Sequence, residues 1–325
     1  MKKTTIVHII LIIAILAVAG TAVYRLYRWN QGTTSNVEAD IEQVDPSEFD
    51  VETLDMIIPL DSSRLEGHED DGELEILCLG NNPFSDDRTE GGLAGLIASK
   101  TGAKVYNGSF PNSSTALRYY PMTPEYLWDQ FNLPSIANAL LAKEFKPMHS
   151  AVGYMEEGTE IYNDSIATLE SVNMETIDAI IIMYDSHDYN IGTPCVNVDV
   201  PNDVQAFTGG LTFFLDIVKQ YWPHIRVFVM TPTYAQYVDE NGKLLSGDTT
   251  DLGNGTLPFY VQNEIDATVS CGYSVIDNYY GTINADNYEE YMSDNKNYNQ
   301  AGREKLADRI SEIINTKMST VSSTK

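Results

Sequence analysis

Three short stretches of this 325-residue chain concentrate side chains able to do acid–base, nucleophilic or hydrogen-bonding chemistry. The first is Gly80-Asn81-Asn82, with Ser85, Asp86, Asp87 and Arg88 close behind. The second is Asp185-Ser186-His187-Asp188, and the third is Asp294-Asn295-Lys296-Asn297. His187, flanked by two aspartates, is the one histidine among them and could serve as a base toward Ser85, Ser186 or a water; a solvated loop histidine is the bland alternative. An asparagine amide nitrogen is delocalised into its carbonyl, so Asn82 and Asn297 offer donors and acceptors but no nucleophile. Neither exchanges a proton near neutral pH.

Asp185, His187 and Asp188 are ligand types for zinc or calcium, yet no second histidine stands at helical spacing and no His-Glu-x-x-His or EF-hand pattern is present. No metal is expected. Gly91-Gly92, Gly209-Gly210 and the "GNGT" at 253–256 lack the lysine and spacing of a phosphate loop, so no cofactor is expected either.

The elements that must position these stretches follow from the hydropathy pattern. Apolar runs of strand length lie at 74–79, 103–106, 179–184, 226–230 and 274–276, separated by helix-like segments at 91–101, 124–143, 161–172, 204–221 and 258–270. A last helix at 300–314 places Leu306, Ile310, Ile313 and Ile314 on one face. Strands alternating with helices predict an α/β fold, a three-layer α/β/α sandwich around a five-stranded parallel sheet of flavodoxin-like type. Such sheets bind ligands beyond the C-terminal ends of their strands. Gly80, Asn107-Gly108-Ser109, Asp185 and Thr231-Pro232-Thr233 all fall there.

Taken together, these landmarks resemble the SGNH hydrolases, also called GDSL esterases and lipases, over residues 73–317. In that family a Gly-Asp-Ser after the first strand carries the nucleophile. A glycine after the second strand and the asparagine of a Gly-x-Asn-Asp after the third build the oxyanion hole, and an Asp-x-x-His before the last helix supplies acid and base. The resemblance implies that Asn82 occupies the serine position, with Asn81 before it. It sets His187 in the asparagine position with Ser186 and Asp188 around it, and Asp294 and Asn297 in the Asp-x-x-His. The second-block glycine is either replaced near Asn112 or is Gly108 in a shifted alignment. Asn81, Asn82, Asn112, Ser186, His187, Asp188, Asp294 and Asn297 are thus the candidate ligand-binding residues, and Ser85 with His187 is the only nameable rescue of catalysis.

Residues 6–24 form an apolar run without an acid, flanked by Lys2, Lys3, Arg25 and Arg28. Ala17-Val18-Ala19 reads as a signal-peptidase site, whereas Tyr24, Tyr27 and Trp29 read as an interfacial belt; the second favours an uncleaved single-pass anchor over 1–29. Residues 30–72 are acid-rich and expected to form a tether, with a short docked strand at Met56-Ile57-Ile58, and 318–325 form a polar tail. The expected location is the cell membrane with the C-terminal domain outside. The formal charge of −27 repels phosphate backbones, so no nucleic-acid partner is expected.

Cys78, Cys195 and Cys271 are too few and too widely spaced for a disulfide framework, though a pairing of Cys195 with Cys271 stays open. Twenty tyrosines, among them Tyr119-Tyr120, Tyr126, Tyr279-Tyr280, Tyr288, Tyr291 and Tyr298, suit either stacking on sugar rings or capping of the core. Three functions compete. The chain is a cleft that binds a glycan or acylated ligand without turning it over, a carbohydrate esterase or acyltransferase using Ser85 and His187, or a structural partner in an envelope assembly. The residues favour the first.

Overall fold

The computed structural model describes residues 55–318 and 321–322, apart from 67, 69, 70, 120–122, 124 and 125. The predicted anchor and the tether up to residue 54 lie outside the described residues; within them, no helix is long and apolar enough to cross a membrane.

Five strands, β1 Glu75–Gly80, β2 Lys104–Asn107, β3 Ala179–Met183, β4 Arg226–Met230 and β5 Ser274–Ile276, form one all-parallel sheet in the order β2-β1-β3-β4-β5. That is the flavodoxin-like order, in which the chain reverses its direction of winding after β2 and opens a crevice between β1 and β3. The predicted strand positions hold to within a residue or two. Their near-continuous apolar character has a simple origin: alternate residues face opposite layers and both layers are dry. Leu77, Leu79, Ile180, Ile182, Val227 and Val229 point to one core. Ile76, Cys78, Ile181, Met183, Phe228 and Met230 point to the other.

Among the described residues the six longest helices are α1 Leu93–Thr101, α2 Leu133–Ala142, α3 Thr159–Ser171, α4 Phe207–Tyr221, α5 Leu257–Ser270 and α6 Gln300–Lys317. Helices α2, α3 and α4 cover the first core through residues such as Ile136, Ile166 and Phe214. α1 and α6 cover the second through Leu93, Ile97, Leu306, Ile310 and Ile314, with Ile313 partly buried beside them. α5 closes a third cluster around Val275, Tyr189 and Tyr260. The helix expected from 124 to 143 instead starts at Leu133, after a 3-10 turn at Leu127–Phe131. Asn132 sets that boundary, its side chain accepting the Ser135 N–H at 2.8 Å, and Pro134 fits only in a first turn.

Several features have no counterpart in the sequence pattern, among them a parallel pairing of Leu60–Asp61, in the expected tether, with Val321–Ser322, in the expected tail. A hairpin pairs Gln236–Val238 with Leu244–Ser246, its turn held by Asp239 Oδ1, which accepts the N–H groups of Asn241 and Lys243 at 2.9 and 2.7 Å. A helix at Lys146–Val152 follows α2. At the open edge of β5, Met56 forms an antiparallel bridge with Val275, and Asp55 is paired with Arg309 of α6 at 2.7 Å. The segment foreseen as a docked strand thus contributes a single bridge, and packing on the domain reaches back to Asp55. All three cysteines are free and buried, with Cys195 and Cys271 in separate clusters.

Glu264 on α5 is fully buried, and burial first, then the charge of Asp188, holds its carboxyl well above the ordinary 4.5. The folded chain therefore keeps a proton that the unfolded chain releases above that value, so this group makes stability fall as pH rises through the window above 4.5. Glu264→Gln fixes the neutral form. It is expected to raise the melting temperature at about pH 8 by more than at about pH 4, as scanning calorimetry would show; equal shifts at both would contradict this.

Candidate functional site

The end of β1 is built around a close backbone approach. Gly80 has φ of +147°, and a Cβ placed on it would lie 1.8 Å from the carbonyl oxygen of Met183 on β3. Only glycine permits this, and the approach carries the chain directly into the crevice between β1 and β3.

Asn81 is completely buried and ties three segments together. Its Nδ2 donates to Asp185 Oδ1 at 2.7 Å and to the Ser113 carbonyl at 3.0 Å, while its Oδ1 accepts the Asp185 N–H at 2.8 Å. Asp185 Oδ1 also takes the His187 N–H at 2.9 Å, so one buried carboxylate organises the turn after β3. Asn81→Ala would strip this carboxylate of its amide donor and leave its backbone N–H unpaired. A loss of about 2–3 kcal/mol in urea unfolding is expected, and a loss near zero would show that the network contributes nothing.

Asn82 opens a one-turn helix, Asn82–Ser85, and is nearly buried at the crevice floor. Its Oδ1 accepts the backbone N–H of Asn112 at 2.8 Å, and its Nδ2 lies 3.5 Å from Asn112 Oδ1. Asn112 sits at φ +51°, a conformation natural to glycine. Of the two second-block alternatives, it is Asn112 that turns its N–H to the side chain at position 82. Gly108 instead lets α3 approach the sheet, since a Cβ there would lie 2.5 Å from Leu169 Cδ2.

The third stretch is held against the segment that follows the first by Arg303. Asp294 Oδ1 accepts the N–H groups of Lys296 and Asn297 at 2.9 and 2.8 Å, and its Oδ2 accepts Asn297 Nδ2 at 2.8 Å. Burial would raise its carboxyl, but these donors outweigh it and the net direction is downward. Asn297 Oδ1 is buried without a partner. Arg303 at the start of α6 pins this loop against the first stretch, donating to the Tyr298 carbonyl at 2.9 Å and the Gly91 carbonyl at 3.3 Å, with Asp87 Oδ2 at 3.4 Å. Asp86, at the rim, is pushed up to about 6, first by the protein surrounding it and then by the negative charges of Asp185 and Asp294.

The remaining candidates divide by depth. Ser186 is buried with its Oγ accepting from Asn190 Nδ2 at 2.9 Å, and Asp188 is buried with Oδ2 accepting the Thr115 N–H at 2.7 Å. Both, like Asn81, hold the floor. His187 and Asn112 open instead onto a cavity of about 280 Å³ that also meets Ser114, Arg118, Tyr119 and Tyr126. Ser85 faces inward: it is 1% exposed, and its Oγ has no hydrogen-bond partner, His187 included. An isolated buried hydroxyl has no base to activate it.

Sequence reasoning passed over Arg118, which stands in no landmark at a strand end, and named Asp86 only as a neighbour of Ser85. It did single out Tyr119 and Tyr126, which stack with ring centroids 4.3 Å apart beside the cavity. Tyr279 and Tyr298, by contrast, are core residues. Tyr120 and the Trp128 side chain lie outside the described residues. Among the described residues no cluster of three or more His, Cys, Asp or Glu could hold a metal ion.

No family model matches the chain, and no curated protein does. Solved structures are similar to it. A protein from Lactobacillus plantarum is 13% identical with a TM-score of 0.50, the match covering 75% of this chain and 97% of that one. A possible lipase from Chitinophaga pinensis is 12% identical with a TM-score of 0.48, covering 74% and 98%. A carbohydrate acetylesterase from Sinorhizobium meliloti is 11% identical with a TM-score of 0.45, covering 74% and 98%. At such identities the likeness is one of fold, an α/β/α sandwich around a five-stranded parallel sheet.

Proposed function

We propose that this chain is an SGNH hydrolase-like protein that binds a glycan or an acylated ligand in its cleft and does not hydrolyse it. One observation carries the reading. The two positions that the family resemblance assigns to nucleophile and base hold amides, and both amides are already hydrogen-bonded, Asn82 to Asn112 and Asn297 to Asp294. Neither can form a covalent intermediate or relay a proton. What they retain is hydrogen-bonding capacity suited to hydroxyls, with the unpaired Oδ1 of Asn297 as an acceptor awaiting a donor. The exposed faces of Tyr119 and Tyr126 supply an apolar platform for a sugar ring. The same reading places the domain outside the cell on an anchor at residues 6–24, joined by the acidic tether.

Binding is tested with the full-length chain in detergent micelles on an array of plain and O-acetylated oligosaccharides. Retention of a subset is expected. Joint substitution Tyr119→Ala and Tyr126→Ala is expected to weaken it about tenfold, in line with the loss of aromatic stacking. No retention of any saccharide would overturn the reading.

A further inference from the structure

Arg118 stands between two cavities. It borders the 280 Å³ cavity with His187, Asn112 and the stacked tyrosines, and a second of about 550 Å³ with Thr193, Asn197, Asp203 and Gln205. Among the described residues its guanidinium makes no ion pair. The carboxylates beside it accept N–H donors, and the Arg118 charge acts on Asp129 without a direct ion pair. Asp129 accepts the backbone N–H groups of Arg118 and Tyr119 at 2.6 and 2.8 Å, and Asp203 accepts the Asn197 amide at 2.8 Å and the Gln205 N–H at 3.0 Å. Arg118 is exposed, so its guanidinium is open to a ligand.

Its neighbours say what it would meet. Tyr119 and Tyr126 lie nearly parallel, 7° apart, and are 44% and 45% exposed, with the Arg118 guanidinium 5.9 Å from the Tyr119 ring centre. Flat aromatic faces take the apolar face of a sugar ring, while a planar guanidinium takes an oxyanion through two parallel N–H donors. The surrounding negative field repels polyanions at long range, so the contact must be short-range and bidentate. From this juxtaposition we infer that the cleft selects an anionic saccharide, with a ring on Tyr119 and Tyr126 and its carboxylate or phosphate on Arg118. This rests on the proposed glycan-binding function and adds the charge of the ligand.

The experiment is calorimetric titration of the full-length chain in detergent micelles with four probes: trigalacturonic acid, its methyl ester, a phosphorylated maltotriose and maltotriose. An acid or a phosphate bound about tenfold or more tightly than its neutral counterpart is expected, and which pair shows it tells carboxylate from phosphate. That ratio should shrink as salt rises, fall close to one in Arg118→Met and stay intermediate in Arg118→Lys. Equal affinity for charged and neutral members of both pairs would overturn the inference while leaving glycan binding intact. So would a ratio that survives in Arg118→Met. Binding of none of the four would overturn the inference, and the oligosaccharide array then decides whether glycan binding itself stands.

Discussion

The double substitution Asn82→Ser with Asn297→His is expected to convert the chain into an esterase, with hydrolysis of p-nitrophenyl acetate at least about 100-fold above wild type. The parts that a restored pair needs are in place. Asp294 Oδ2 already accepts from the side chain at position 297, at 2.8 Å, and would orient an imidazole through its ring N–H. The Asn112 N–H points to the side-chain oxygen at position 82, so it stands ready to donate to an oxyanion formed there. Either substitution alone should give little, because a hydroxyl without a base and a base without a hydroxyl each lack half of one proton transfer. Hydrolysis in the double variant no faster than in the two single variants would show that the amides do not face each other across a common reaction centre.

Gly80→Ala is expected to cost more than about 4 kcal/mol, enough to unfold most of the domain. The new methyl would lie 1.8 Å from the Met183 carbonyl oxygen and 2.7 Å from its carbonyl carbon, both backbone atoms of the central strand β3. The φ of +147° adds strain for any side chain. Relief requires β1 and β3 to part at their C-terminal ends, which would also separate Asn81 from Asp185. Gly72→Ala is the matched control, with positive φ but no atom within 4 Å, and should cost about 1 kcal/mol. Urea midpoints would tell the two apart; similar costs would mean that the close approach is unimportant.

The sheet was legible because four of its five strands are buried along their whole length, so their sequences are largely apolar runs, as in AIIIM of β3, while the edge strand β2 is exposed at Lys104 and only half-buried beyond it. The helices were legible at their ends wherever a cap or a proline marks them, and misjudged where, as at Asn132 and Pro134, both marks lie inside a longer apolar pattern. The hairpin at 236–246 carried an Asn241-Gly242 turn signal, but its strands are half-exposed and three residues long, too short for their alternation to stand out.

For the site, strand-end landmarks picked out Asn82, Asp185 and their neighbours, because a parallel sheet gathers those ends in one place, whereas Asp294 and Asn297 were singled out through the family resemblance. Depth was not legible. Nothing in the residue types tells that Asn81, Ser186 and Asp188 are the floor while Asn112 and His187 face the cavity, since that depends on which way each turn rolls after its strand. Arg118 escaped notice for a related reason: its place beside both cavities depends on the fold of a loop, not on any spacing in the chain.

The account stands or falls on whether the native cleft holds an activated nucleophile. Intact-mass spectrometry of the full-length chain after incubation with a fluorophosphonate probe asks this directly, and no adduct is expected under conditions that label the Asn82→Ser, Asn297→His variant at position 82. A stoichiometric adduct on the wild-type chain that maps to Ser85 and disappears in Ser85→Ala would contradict it.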